Sequence, residues 1–342
     1  MTLQSSGTIR WSEIRDEFGP NVGTTGVSLG RYRNSDSNFG NKDVGTLTDL
    51  PLDVGVPKSG TISASSFYSK RLNMVLDMYG GGTEFRVNCR TRYNDSSKVK
   101  VVGQYKARPS NTDNTRVIVN VNKTFGSETG ATNRVAVRSG SWGSDCDLEF
   151  EIGSNGKIYG AGGNGGDGGS ANGSRGSDGQ AGSSALGIEY SCTINNLGRI
   201  QAGYGGGGGG GGRRRYVKTG KKSGRWNGST GGGGGAGAGY PNGVGGDSPT
   251  GSYGGGSDGS DGGDGTDQAS GAKGAGGNDA GQGGDGQTVN NSSSKASDGQ
   301  SAGGSGGTGG NGGYAIITSQ GSLPTFTGNA VIGRTLTNSN PQ

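Results

Sequence analysis

The residues best equipped for binding chemistry gather in one stretch. Arg213, Arg214, Arg215, Tyr216, Lys218, Lys221, Lys222, Arg225 and Trp226 put seven cations and two aromatics into fourteen residues. Arginine and lysine pair with phosphate or carboxylate, while tyrosine and tryptophan stack on sugar rings. Tyr240 and Tyr253 are the aromatics that follow. An anionic polysaccharide is the natural ligand for such a set. A solvated loop, or a clamp on a neighbouring acidic chain, fits the same residues. Nucleic acid fits poorly, because the chain's net charge is only +5.

The remaining reactive residues offer little catalysis. Histidine is absent, which removes Ser-His-Asp and Cys-His nucleophiles and every imidazole metal site. A hydrolase built on two carboxylates survives that cut but needs a rigid cleft. Cys89, Cys146 and Cys192 form no CxxC, so free thiols are expected rather than a disulfide framework or a zinc site. Asp258, Asp261, Asp264, Asp267 and Asp285 recur among glycines but lack the apolar position and nine-residue period of calcium β-roll repeats. They read as solvated charges that keep the glycine region from aggregating. Gly205 to Gly212 lacks the GK[ST] ending of a phosphate-binding loop. No enzyme, cofactor or metal is expected.

Glycine organises the elements that must hold the basic stretch. The chain has 82 glycines in 342 residues, 17 of them before residue 151 and 65 after. In the rear they are periodic: Gly173, Gly176, Gly179 and Gly182 lie three apart, as do Gly256, Gly259, Gly262 and Gly265. Four GGx units run from Gly303 to Gly313. Collagen shares the period but is rich in proline, and residues 159–313 contain only Pro241 and Pro249. A threefold extended helix of polyglycine type fits better. It has no internal hydrogen bonds, so its amides and carbonyls must pair with neighbouring helices. The basic stretch sits between two polyglycine runs, where a loop leaves and re-enters such a bundle.

The front half is closer to ordinary protein. Ser6-Gly7-Thr8-Ile9 and Ser59-Gly60-Thr61-Ile62 repeat, each followed by a serine placed to cap a short helix. The spacing predicts helices over Glu13–Phe18 and Ser66–Met78, in a module of residues 1–80 too poor in apolar anchors to stand alone. Residues 81–152 alternate apolar and polar between turn residues, which predicts a β-sandwich-like, antiparallel domain. Strand, tight turn and strand precede glycine runs at 152–160 and 194–203, and Tyr314-Ala315-Ile316-Ile317 reads as another strand. The fold class is mainly β and irregular, with a polyglycine-II-type module over 153–315 and a β/tail segment over 316–342. The N-terminus is polar, without a signal-peptide core, and no apolar run is long enough for a membrane helix.

These features resemble a known family. The SGTI–Ser–short-helix repeat is similar to N-terminal modules of tailed-bacteriophage virion proteins. The NG-x-I-x-G transitions into GGxGG at 155–169 and 198–212 resemble glycine-rich phage tail-fibre, tail-tip and adhesin proteins. The resemblance implies a non-enzymatic virion protein, made in the host cytoplasm and carried on the tail. It implies docking to other tail or fibre proteins through residues 1–80, and recognition of a host-surface polysaccharide or outer-membrane receptor through loops between glycine runs. A homo-oligomer, a trimer by analogy, follows from it too. A purely structural tail, baseplate or fibre component is the alternative.

Overall fold

The computed structural model describes residues 3–18, 29–32, 56–57, 59–71, 73–78, 83–95, 99–101, 111–221, 223–289 and 294–342. Its frame is a stack of rungs, each contributing one short strand to each of three sheets. The first rung holds β1 (Asn73–Met78), β2 (Glu84–Phe85) and β3 (Val87–Asn88). After β4 (Val99–Val101), the second holds β5 (Arg116–Val121), β6 (Thr124–Gly126) and β7 (Val135–Arg138). The third holds β8 (Asp147–Ile152), β9 (Lys157–Tyr159) and β10 (Ser184–Ile188). The fourth joins β11 (Cys192–Asn196) and β12 (Arg199–Gln201) to the distant β15 (Tyr314–Thr318), and β16 (Thr325–Gly328) and β17 (Arg334–Leu336) end the stack.

Equivalent strands of successive rungs pair in parallel, in the orders β16-β11-β8-β5-β1, β17-β15-β10-β7-β3 and β12-β9-β6-β2; only β4 joins antiparallel, at the edge beside β1. Alternate residues point inward. Met74, Leu76, Val117, Val119, Leu148, Phe150 and Ile194 meet Phe125, Ile158, Ile200, Val137, Leu186 and Ile316 in one buried core.

This corrects the antiparallel sandwich expected over 81–152. The strands there are rungs of a parallel solenoid that continues beyond residue 152, so the expected boundary cuts through it. Two close approaches explain the glycines at the corners. A Cβ on Gly156 would lie 2.4 Å from the Val121 carbonyl oxygen, and one on Gly198 would lie 2.1 Å from that of Gly156. These stacked corners are bonded rung to rung, Gly153 N to Val121 O at 2.9 Å and Arg199 N to Gly156 O at 3.0 Å.

Residues before β1 cap the first rung. Helix α1 (Trp11–Phe18) buries Ile14 and Phe18, and Phe18, Tyr32 and Phe67 form an aromatic cluster continuous with the solenoid core. The helix expected over Ser66–Met78 is instead a single 3-10 turn at Ala64–Phe67 followed by β1. The reason is that Met74, Leu76 and Met78 face the core at period two, which parallel pairing with β5 requires. Val27, Leu52 and Leu72, which the sequence offers as further apolar residues of this module, lie outside the described residues.

Glycine segments fill two excursions from the solenoid, 160–183 and 202–313. They are extended and outside any sheet apart from the strands that interrupt them, and their backbones bond to one another every third residue. Segment 203–212 shows the rule. Its amides donate to 174–183 (Gly206 to Gln180, 3.0 Å), 230–239 (Gly207 to Gly235, 2.8 Å) and 295–301 (Gly208 to Ser297, 3.1 Å). Its carbonyls accept from 160–170 (Gly166 to Gly207, 2.8 Å), 280–288 (Gly284 to Gly208, 2.7 Å) and 303–313 (Gly307 to Gly209, 2.7 Å). Over 205–212, the octaglycine, it is surrounded on every side by backbone and has no room for Cβ atoms. Segment 230–239 is enclosed in the same way by 160–170, 203–212, 241–249, 256–266, 269–277 and 280–288.

Asp258, Asp261, Asp264 and Asp285 are exposed, and most of them also bond the backbone. At the rim, where an amide finds no backbone carbonyl, side-chain oxygens accept it. Asp258 takes Ser252 N at 2.7 Å, Asp261 takes Ser248 N at 2.7 Å and Asp264 takes Gly245 N at 2.9 Å. Asp178 and Asp298 take Thr308 N and Gly309 N likewise; the Thr308 bonds hold the Asp178 carboxyl below the ordinary range, and a bond from Lys295 followed by that from Gly309 does so for Asp298. Asp285 pairs with Lys273 at 3.5 Å.

Candidate functional site

The two enclosed segments, 203–212 and 230–239, are joined by a hairpin of β13 (Arg213–Lys218) and β14 (Gly224–Ser229). It projects from the end of the glycine region opposite the solenoid. Six cross-strand pairs fix its register, with Tyr216 opposite Trp226 and Arg214 opposite Gly228. Alternation therefore puts Arg214, Tyr216, Lys218 and Trp226 on one face, and Arg213, Arg215 and Arg225 on the other.

The first face is a stripe of rings. Tyr216 and Trp226 meet edge to face with centroids 5.2 Å apart, and the Arg214 guanidinium lies 4.4 Å from the Trp226 ring centre. Tyr216 and Trp226 remain 47% and 48% exposed, so their surfaces are open to a ligand. Glycines make room for the rings. A Cβ at Gly224 would strike Tyr216, and one at Gly228 would come within 2.5 Å of Tyr253. Tyr253 extends the stripe, bonding with Gly228 through both backbone groups and donating its hydroxyl to Ala171 O at 3.2 Å.

On the second face Arg213 and Arg215 each approach Asp279 Oδ2 at 3.7 Å, and Arg213 donates to the Asp279 carbonyl at 3.2 Å. Lys218 and Lys221 are exposed near the hairpin end, and Lys222 lies outside the described residues.

The structure thus brings together every described candidate except Tyr240. That residue sits at the solenoid end of the glycine region. There its ring stacks on Phe85 at 6.3 Å and its hydroxyl is 3.3 Å from Thr83 Oγ1. Glycine periodicity breaks at both ends of each segment, and the sequence does not say which end is which. Asp279 was not singled out, because a lone aspartate in a glycine-rich turn carries no signal until the hairpin lies against it.

No group of three or more metal-ligating acids or thiols occurs among the described residues. The cysteines are free and buried, and burial pushes the Cys146 and Cys192 thiols up to about 12. No helix among the described residues is long and apolar enough to cross a membrane.

The model of the family described as phage tail fibre adhesin Gp38 matches residues 84–340, from β2 to beyond β17. The chain belongs to that family. Among solved structures, this adhesin is similar to the gp37-gp38 adhesin tip complex of the bacteriophage S16 long tail fiber. Identity is 19%, over 80% of this chain and 86% of that one, with a TM-score of 0.39. No curated protein matches it. Within the adhesin, the matched span contains the solenoid from β2 on, both glycine excursions and the whole hairpin. Helix α1 and β1 precede it.

Proposed function

We propose that this tail fibre adhesin contacts the host surface through the aromatic face of the 213–229 hairpin, and that it binds rather than catalyses. The glycine segments act as threefold extended helices of polyglycine type, a reading supported by their period-three bonding between neighbours. One observation carries the assignment. The hairpin leaves and re-enters the lattice through its two most enclosed segments and still exposes Arg214, Tyr216 and Trp226. A ligand therefore meets side chains on a fixed base, and little ordering entropy is lost on binding. Rings of this kind stack on sugars or fill pockets of a protein receptor, and arginine adds an anion partner.

Replacing Arg214, Tyr216 and Trp226 together with Ser tests this. Particles should assemble normally and adsorb to the host at least tenfold more slowly, since anchor residues of these types commonly contribute about 2 kcal/mol each. Unchanged adsorption by complete particles would favour a structural fibre component with no receptor contact.

Docking to a neighbouring tail or fibre protein falls to the residues before β1, because 73–78 is itself a solenoid strand. The exposed side of α1, with Ser12, Arg15 and Asp16, is the surface available for it. Substituting all three with Ala should yield particles short of this protein, and full incorporation would remove the docking role.

A further inference from the structure

The opposite face of the hairpin roofs a recess of about 280 Å³, with Arg213, Arg215 and Asn227 set against Gly255, Gly256 and Asp279. The charges in it are unevenly matched. Arg225 shares this hairpin face, and its Nη2 comes to 3.0 Å from where a Gly255 Cβ would sit. Two guanidinium groups therefore line a space that contains one carboxylate, with a third beside its Gly255 edge. A completed arginine–carboxylate pair is short and often bidentate. Here Arg213 and Arg215 both stay 3.7 Å from the same Asp279 oxygen, so the carboxylate is spread between them and saturates neither.

Polar groups other than charges also face the space. Asn227 and Ser229 form part of the wall. Gly255 keeps the recess open at φ +95°, a conformation that a side-chain-bearing residue rarely adopts. The volume suits one monosaccharide unit, the net charge suits an anion, and the polar wall suits hydroxyls.

We propose that this recess binds a single acidic sugar unit bearing phosphate or carboxylate, with Arg213 and Arg215 taking the anionic group and Asp279 limiting its affinity. The proposal deepens the adhesin reading and rests on it. The aromatic face would hold the outer part of a host glycan, while the recess selects a charged unit beside it.

The test titrates the purified full-length protein with glucose 1-phosphate, glucuronate and glucose at low salt, followed by calorimetry and by NMR. At least one acidic probe should bind, weakening as salt rises, and glucose should not; which acidic probe binds identifies the group recognised. Arg213→Gln with Arg215→Gln should weaken binding at least tenfold through loss of charged hydrogen bonds. Asp279→Asn should strengthen it several-fold by removing a repelling charge. Position 279 has φ +58°, which asparagine tolerates.

Glucose binding as well as the acids, no binding by either acid, or unchanged binding by the double arginine variant would each overturn the proposal. If neither acid binds while the Arg214, Tyr216 and Trp226 substitution still abolishes adsorption, the recess assignment fails and the adhesin reading stands. If the acids bind but adsorption survives both sets of substitutions, the recess stands and the adhesin reading fails.

Discussion

Gly209→Ala should cripple the glycine lattice through one methyl group. A Cβ at Gly209 would lie 1.9 Å from the Asp167 carbonyl oxygen, whereas real Cβ atoms essentially never come closer than 3.0 Å. Segments 160–170 and 203–212 would have to separate by about 1.1 Å to reach even that limit, a displacement far beyond thermal breathing of a close-packed interior. The bonds from Gly166 N to Gly207 O and from Gly169 N to Gly210 O, both 2.8 Å, flank the site. Stretched by that amount they would reach about 3.9 Å, outside hydrogen-bond range.

Each lost bond costs about 1 kcal/mol net, and each buried group left unpaired about 1–3 kcal/mol. Alanine returns about 0.4–1 kcal/mol by restricting the unfolded chain. The net loss is about 3 kcal/mol or more, roughly 4 °C or more in melting temperature for a chain of this size. Gly263→Ala is the matched control, because its Cβ would meet nothing closer than the Ala272 nitrogen at 3.1 Å. Thermal melts of both variants, with hydrogen exchange on the glycine amides, decide the matter. Equal melting of Gly209→Ala, Gly263→Ala and the parent would refute close backbone packing in this region.

Two carboxylates give opposite pH signatures. Burial works against ionised Glu84, but bonds from Arg92 and Lys123 outweigh it and hold its carboxyl at about 2. Its stabilising contribution is complete above the ordinary value of 4.5 and is lost as pH falls toward 2. Glu84→Gln should therefore cost about 1–2 kcal/mol at pH 7, after discounting for solvent exposure, and little at pH 2, read from denaturant midpoints. Glu151 is the reverse case: burial and its hydrogen bond to Glu149 raise it to about 7. The folded state then holds a proton that the unfolded chain releases between pH 4.5 and 7, so this group costs stability as pH rises through that window. Glu151→Gln should leave stability at pH 4 nearly unchanged and raise it at pH 8, and equal shifts at both pH values would contradict the assignment.

Much of the architecture was legible residue by residue, and its connectivity was not. The strand–turn–strand units at 152–160 and 194–203 occur where expected, as do the strand at Tyr314 and the helix ending at Phe18. Alternation along a strand reports one buried face and is silent on whether its partner runs parallel or antiparallel, so a solenoid read as a sandwich. Its fourth rung takes β15 from beyond the whole 202–313 excursion, which no local pattern encodes. At 66–78 the apolar residues match helix and strand templates almost equally, and pairing with β5 decides between them.

The basic cluster is legible as a loop because side chains with binding chemistry are rare in the rear half and cluster where the glycine period stops; its pairing into a hairpin is not. The amides that the exposed rim aspartates accept are not legible, because accepting one depends on a neighbouring segment absent from their own sequence window. The recess opposite Asp279 escaped notice for the same reason.

The most direct test of the central claim places a photo-crosslinking amino acid at position 216 in assembled particles, with position 85 as the control. Both side chains are large, aromatic and about half exposed, but Phe85 lies beside Tyr240 at the solenoid end of the glycine region. Irradiation during adsorption should link position 216, and not position 85, to a component of the host surface. Crosslinks from position 85 alone, or from position 216 only to other virion proteins, would contradict a hairpin that meets the host.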